Sequence, residues 1–416
     1  MGFEQALSGL QAASQNLDVI GNNIANASTM GFKDVRAEFA DVYAASVLGT
    51  TANQVGIGVA ISAVTPEFTQ GTITTTGNPL DIAINGSGFF MESNNGLVTY
   101  SRDGEFSLNA DGYIVSPTGA NVLGYAAGAN GTISAGPPVP MQLSLAPVAP
   151  QATTTASMSL NLDSGDTPIP ATTAFSPTNT ASYNSSTSQT VYDSQGNAHT
   201  VSYYFVDSSA NPNTWQVYAT IDGTQVAGAG GAGTPIGTLA FNTSGQLTPA
   251  TDVTMNVAQA ASTTGAAPVS FKVTFPAAST TQYGSAFAVS SNTQNGYATG
   301  QLSTFSISST GVISGSYTNG QTVNLGQLAL ATFVNPQGLI AEGGNQFQQS
   351  AASGAPDVGA PGSGSLGTVQ SGALENSTVD ITTELVNMIT AQRVYQANAE
   401  TVKTEDQVQQ TLMNLR

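Results

Sequence analysis

The sequence predicts a mainly β protein with terminal α-helices. Nested, discontinuous β domains of the antiparallel barrel or sandwich type are expected, with a coiled-coil-like helix pair drawn from the two chain ends. Three observations predict this. Heptad-spaced apolar ladders stand at both ends of the 416-residue chain. The sequence between them reads as short β-branched and aromatic runs cut by Gly, Asn and Asp turns. A Pro-rich linker interrupts that β pattern, which resumes far downstream, so one domain is inserted into another.

The first helix is expected within the opening thirty-three residues. Phe3, Leu10, Leu17 and Ile24 recur every seven positions, and Ala6, Ala13, Ile20 and Ala27 form a parallel track. No Pro interrupts the run, and Gln, Ala and Leu favour helix. The second ladder, Ile381, Leu385, Met388, Tyr395, Val402, Val408, Leu412 and Leu415, lies at the other end. Asn376 and Ser377 are candidate N-caps, and Asp380 and Glu384 suit the positive end of the helix dipole. A lone amphipathic helix of this length is marginal in water, so the two ladders are expected to pack on each other and on neighbouring chains. They supply the candidate assembly seam.

Residues 32–70 read as a transition, with Glu38 to Ser46 weakly helical or extended and an apolar alternating strand after Gly56. From Glu67 to Tyr125, turns at Asn78-Pro79, Asn85-Gly86, Asn94-Asn95-Gly96, Asp103-Gly104 and Asp111-Gly112 separate the runs LDIAI, GFFME, LVTYS, EFSL, YIV and VLGY. That spacing predicts antiparallel strands. The Pro-rich runs at 136–140 and 146–150 form the linker. TVYD, HTVSYYFV, TWQVYATI, GTLAF and VSFKVTF then predict a second β region. Alternation returns from Tyr297 to Asn335, and a Gly-, Ala- and Ser-rich stretch leads to the final helix. The expected domains are 1–32 with 373–416 (helical assembly), 33–70 with 338–372 (connecting), 71–149 with 283–337 (inner β) and 150–282 (inserted outer β).

Composition narrows the function. Only 8% of residues are charged, against about 25% in typical domains. Such a neutral hydrogen-bonding surface suits dense packing against copies of itself. A net charge of -18 with seven bases excludes nucleic-acid binding, which needs a cationic face. Five of those seven (Lys33, Arg36, Arg393, Lys403 and Arg416) lie in the terminal segments, where charge pairing is expected. Without cysteine there is no disulfide, thiol catalysis or thiolate metal site. No cleavable signal peptide and no membrane-spanning run is expected. The single His199 offers neither metal cluster nor triad and is expected to be structural or solvent-facing. Asp103, Asp111, Asp193 and Asp222 fit turn chemistry. Gly86 and Gly88 run into the strand-forming Phe89 and Phe90, and no helix or Lys follows the Gly228–Gly233 run, so neither is a phosphate loop. No cofactor, metal or catalytic residue is expected.

Three wordy segments carry a resemblance. ANASTMGFK, with Asn26, Gly31, Phe32 and Lys33, is the first. NPLDIAINGSGFF, with Asn78, Pro79, Leu80, Asp81, Gly86, Gly88, Phe89 and Phe90, is the second. The closing run from Leu374 to Arg416 is the third. Together they resemble the rod and hook family of bacterial flagellar axial proteins. Chain length and the large insert place the resemblance nearer the hook branch than the shorter rod branch. The resemblance implies a structural, non-enzymatic subunit of a helical homopolymer: a curved, flexible extracellular tube coupling the motor's rod to the filament. It also implies export through the flagellar type III apparatus with the N-terminus retained. The implied partners are copies of itself, the distal rod protein, the hook cap, the hook-length ruler and the hook–filament junction protein. Phe39 and Tyr43 have the spacing of an export-gate motif of that family. A distal rod protein, a Ser/Thr-rich adhesin-like module and a polysaccharide-active enzyme are the rival readings. The adhesin would need an anchor or signal, and hydrolysis assays would discriminate the enzyme.

Overall fold

The computed structural model describes residues 2–42, 56–128, 131–134, 136–144, 146–209, 211–228, 230–231, 233–259 and 265–414. The chain divides into two compact units. The first comprises Met1–Leu145, Thr304–Ser316 and Thr322–Arg416, and the second Ala146–Ser303 with Tyr317–Gln321.

The first unit opens with helix α1 (Gly2–Ala25) and ends with α2 (Ile381–Asn414), and these two helices pack on each other. Helix α1 is shorter than the ladder that predicts it. Asn26 donates from its side chain to the Asn22 carbonyl at 3.0 Å and closes the last turn, so Ala27 lies beyond the helix. The cap of α2 also differs from expectation. The Asp380 carboxylate accepts from the Thr382 and Thr383 amides at 2.9 and 3.3 Å. Asn376 is instead held against Thr72 and Thr74 upstream of the helix.

Strands β1 (Val35–Val42) and β2 (Gly58–Pro66) form a two-stranded antiparallel ribbon. The strand-or-helix ambiguity of the Glu38 region is therefore resolved as strand up to Val42. Next, β3 (Ile73–Thr75) pairs with Ala373–Glu375, and β4 (Ile82–Asn85) with Thr368–Ser371. These pairings join sequence-distant ends, as nesting requires. Strands β5 (Phe89–Asn94) and β6 (Leu97–Ser101) enter a larger antiparallel sheet with Asn121–Ala126, Thr322–Leu328 and Gln346–Gln348. The Asn95-Gly96 turn between them has φ of 52° and 91°, the left-handed geometry that two-residue hairpins demand.

Alternation along β5 sends neighbouring rings to opposite faces. Phe90 packs edge-on to Phe106 at 5.0 Å in a core with Ile82, Ile84, Val122 and Leu330. Phe89 faces a second core, meeting Phe68 at 5.2 Å and Phe333 at 6.1 Å. The sheet is thus covered on both faces, which pins its register, because a one-residue slip would exchange the two cores.

The second unit is a two-sheet sandwich. Ser185–Tyr192, Ala198–Asp207, Thr214–Ile221 and Gly237–Phe241 make an antiparallel sheet. The other sheet centres on Thr155–Asp163, which pairs parallel with Ser270–Phe275 and Thr281–Tyr283, and antiparallel with Ala288–Gln294. Their inner faces share one core around Trp215, Tyr203, Phe205 and Phe275.

Candidate assembly site

The two sequence motifs nearest the helices meet at one buried ion cluster. Lys33 Nζ lies 2.6 Å from Glu375 Oε1, and Arg102 Nη1 lies 3.3 Å from Glu375 Oε2. The Lys33 and Glu375 side chains are fully buried and Arg102 is 5% exposed. Backbone groups add further bonds: Lys33 donates to the Thr69 carbonyl at 2.7 Å, Arg102 to the Gly86 carbonyl at 2.9 Å, and the Gly71 amide to Glu375 at 2.7 Å, while the buried Arg102 Nε has no partner among the described residues. The Arg102 guanidinium also sits 5.4 Å from the Phe89 ring centre, within cation–π range. Burial pulls Lys33 below the usual lysine range, and the facing Glu375 opposes that shift.

The signature residues build this cluster or brace it. Gly31 donates to the Glu375 carbonyl at 2.8 Å. Its φ is +68°, and a Cβ there would lie 2.6 Å from the Arg102 carbonyl carbon, so only glycine fits. The Phe32 carbonyl accepts from Thr378. Asn78 donates to Asp81 at 2.8 Å, and the Pro79 and Asp81 carbonyls receive Ser371 and Gly372. Leu80 is buried beneath that turn. Gly86 donates to Gln70 at 2.9 Å, and Gly88 approaches Leu330 and Leu366 closely. The cluster clamps both chain ends to one scaffold, next to the roots of α1 and α2. The concentration of bases near the termini signalled pairing there, but Arg102, deep in the β region, was missed.

Helix α1 meets α2 through small residues. Ala6, Ala12, Ala13, Ile20 and Asn23 are buried on α1, and Glu384 and Ala391 on α2. Gly9 lets Asn398 come close. Of the larger seam candidates, Ile20 is buried, and Leu10, Leu17, Ile24, Met388 and Val402 are half-buried. Phe3, Ile381, Leu385 and Tyr395 are exposed. The Leu412 side chain lies outside the described residues. Val386 and Ile389 add to the apolar surface that α2 leaves open. So long an exposed apolar face marks an interaction surface. Phe39 is exposed on β1, and Tyr43 lies outside the described residues.

In the second unit, His199 ties two turns. Its Nδ1 is 2.6 Å from Asp222 Oδ2 and its Nε2 is 3.4 Å from Asp193 Oδ2. The Asp222 bond, reinforced by Asp193, raises the imidazole above its ordinary value. Burial would raise Asp193, but hydrogen bonds from Asn197, Gln195 and His199 bring it down to about 2.

A β scaffold whose ends return as paired helices with an open apolar face has the build of a flagellar axial subunit. Four segments match families of that class. Residues 3–33 match the flagella basal body rod protein family, and residues 83–159 the flagellar hook protein FlgE/F/G D1 domain. Residues 161–297 match the flagellar basal body protein FlaE D2 domain, and residues 370–415 the flagellar basal body rod FlgEFG protein C-terminal family. The chain is 45% identical to flagellar hook protein FlgE of Escherichia coli K12 and 44% identical to that of Salmonella typhimurium, each over 100% of both chains. It is 30% identical to flagellar hook protein FlgE of Borreliella burgdorferi, over 99% of this chain and 98% of the relative. The chain belongs to the flagellar hook protein FlgE family, a family of structural proteins of the bacterial flagellum.

Proposed function

We propose that the chain polymerises into a curved, flexible tube that joins the motor's rod to the filament and passes torque along it. The supporting observation is the open apolar face of the terminal helix pair, in a chain related over its full length to hook proteins. Segments 1–32 and 373–416 then form the tube's inner wall. The β regions lie outside it. Uncharged outer surfaces can slide between nearly equal packings, a shear motion that lets the tube bend without breaking. The chain leaves the cell through the flagellar type III apparatus with its N-terminus retained, and Phe39 takes part in export. Its neighbours are the distal rod protein, the hook cap, the hook-length ruler and the junction protein. Catalysis plays no part.

Electron microscopy of concentrated purified protein tests the polymer directly. Tubes are expected, and a chain that stays monomeric at every concentration and salt condition overturns the reading.

A further inference from the structure

Helices α1 and α2, with β1 and β2, enclose a groove of about 790 Å3. Its apolar lining mixes alanines such as Ala13 and Ala391 with the larger Val19, Ile20, Phe39 and Val394. Its charged lining is unbalanced, with Asp34, Glu67 and Glu384 set against Arg36 alone. Arg36 is already engaged, 3.2 Å from Glu67 and 3.9 Å from Glu38. Glu384 is 7% exposed, and its Oε2 has no hydrogen-bond partner among the described residues. Burial raises both Asp34 and Glu384, Glu67 adds to the shift of Asp34 and Asp34 to that of Glu384, and Arg36 offsets only part of the first.

Cations are scarce in this chain, with seven Lys and Arg in all. Lys33 and Arg102 are spent on Glu375, and Lys403 lies 3.2 Å from Glu400. Arg393 is exposed on α2 and makes no ion pair among the described residues. It shares its helix face with the exposed Val386 and Ile389. At 100° per residue, that face lies about 180° around α2 from Glu384. Arg393 therefore cannot reach the groove of its own chain.

Resting on the polymer reading above, we propose that Arg393 of one copy seats in the acidic end of the next copy's groove, beside Asp34 and Glu384. Val386 and Ile389 of the same face lie along the groove's apolar lining. The two surfaces are different patches of one chain, so the contact is heterologous. Repeated, it does not close into a two-fold dimer, and where the rotation between copies does not close a ring it grows an open helical array. A guanidinium entering this partly desolvated site forms charge-assisted hydrogen bonds that a neutral side chain cannot replace.

A double-mutant cycle on the full chain tests the pairing. Arg393→Gln, Asp34→Asn and the combined variant are compared with the parent for the critical concentration of assembly, by light scattering and electron microscopy. Lys272→Gln, in the other unit, is the control. Each single change should raise the critical concentration at least about tenfold, the low end for a close charge pair. The combined variant should be no worse than the weaker single, because the pair is already broken. Monomer circular dichroism should be unchanged throughout. If Arg393→Gln assembles like the parent, or the two single effects multiply in the combined variant, the pairing is overturned. A parent chain that forms no tubes overturns the polymer reading instead.

Discussion

Glu375→Gln separates the ion cluster from everything else that holds the first unit. The substitution keeps the side-chain shape and removes the one negative charge facing two buried cations. Glu375 Oε1 accepts from Lys33 Nζ at 2.6 Å and from the Gly71 amide at 2.7 Å, while Oε2 faces Arg102. A glutamine amide has one acceptor oxygen, so one side of the cluster also meets an N–H where it needs an oxygen. Breaking a buried pair by removing one partner costs about 3–5 kcal/mol, chiefly because the surviving charges stay desolvated. With a urea dependence of roughly 2–3 kcal/mol per molar, the first unit should unfold about 1–2 M earlier. Hydrogen exchange at the Gly31 and Gly71 amides, which bond to Glu375, reads this unit locally. The chain's single tryptophan, Trp215, is fully buried in the second unit's core, so its emission gives an internal control. The Trp215 transition should not move. Protection at Gly31 and Gly71 unchanged within about 0.5 kcal/mol would show that the cluster does not hold the chain ends.

Other outcomes follow from the same structure. Leu17→Asp on the half-buried seam forfeits apolar burial of up to about 1.5–3 kcal/mol and introduces an unpaired charge, repeated in every subunit. It should give a monomer with normal β-rich circular dichroism that does not polymerise, whereas Gln11→Asp should be far milder. Glu92 is buried and pushed up to about 7 by desolvation, despite hydrogen bonds from Ser116 and Gln346. The folded chain therefore binds a proton that the unfolded chain has released, and stability falls as pH rises from about 4.5 to about 7. Glu92→Gln should abolish that slope and exceed the parent at pH 8 by on the order of 2–3 kcal/mol in urea titrations. His199 has the opposite charge type and is raised in the folded chain, so its contribution is complete below about pH 6.5 and is lost as pH climbs from there through the raised folded value. His199→Gln should remove this alkaline loss from the Trp215-monitored transition and leave the Glu92 slope intact.

Much of this fold was legible because its signals are local. Turn residues at Asn95-Gly96 and alternation through Phe89 and Phe90 state their structure within a few positions. The heptad ladders announced the helices, but not which track meets which partner. The Ala6, Ala13 and Ile20 track makes the contact within the chain, because alanines allow close approach, while the bulkier Phe3, Leu10 and Leu17 track remains partly or wholly open. Hydrophobicity alone ranks those tracks in the reverse order. The ion cluster was illegible for a different reason. Lys33, Arg102 and Glu375 are far apart in sequence, and each looks like an ordinary surface charge until the β3 and β4 pairings bring them together. Asp380 replaced Asn376 as helix cap because Asn376 was already engaged by Thr72 and Thr74.

The Lys33–Glu375 bond also has a meaning in time. Its partners are 342 residues apart, so a chain emerging N-terminus first holds Lys33 long before Glu375 exists beside it. During that interval, docking the first motif against the β scaffold would bury a lysine opposite Arg102 with no acid between them. That arrangement is repulsive as well as desolvated. Premature closure is therefore penalised by charge, beyond the loop entropy that already delays so distant a contact. Only when the last tenth or so of the chain arrives does the penalty become an attraction. The cluster thus works as a completeness check, withholding the final compact form of the first unit from truncated or half-delivered chains and granting it to whole ones.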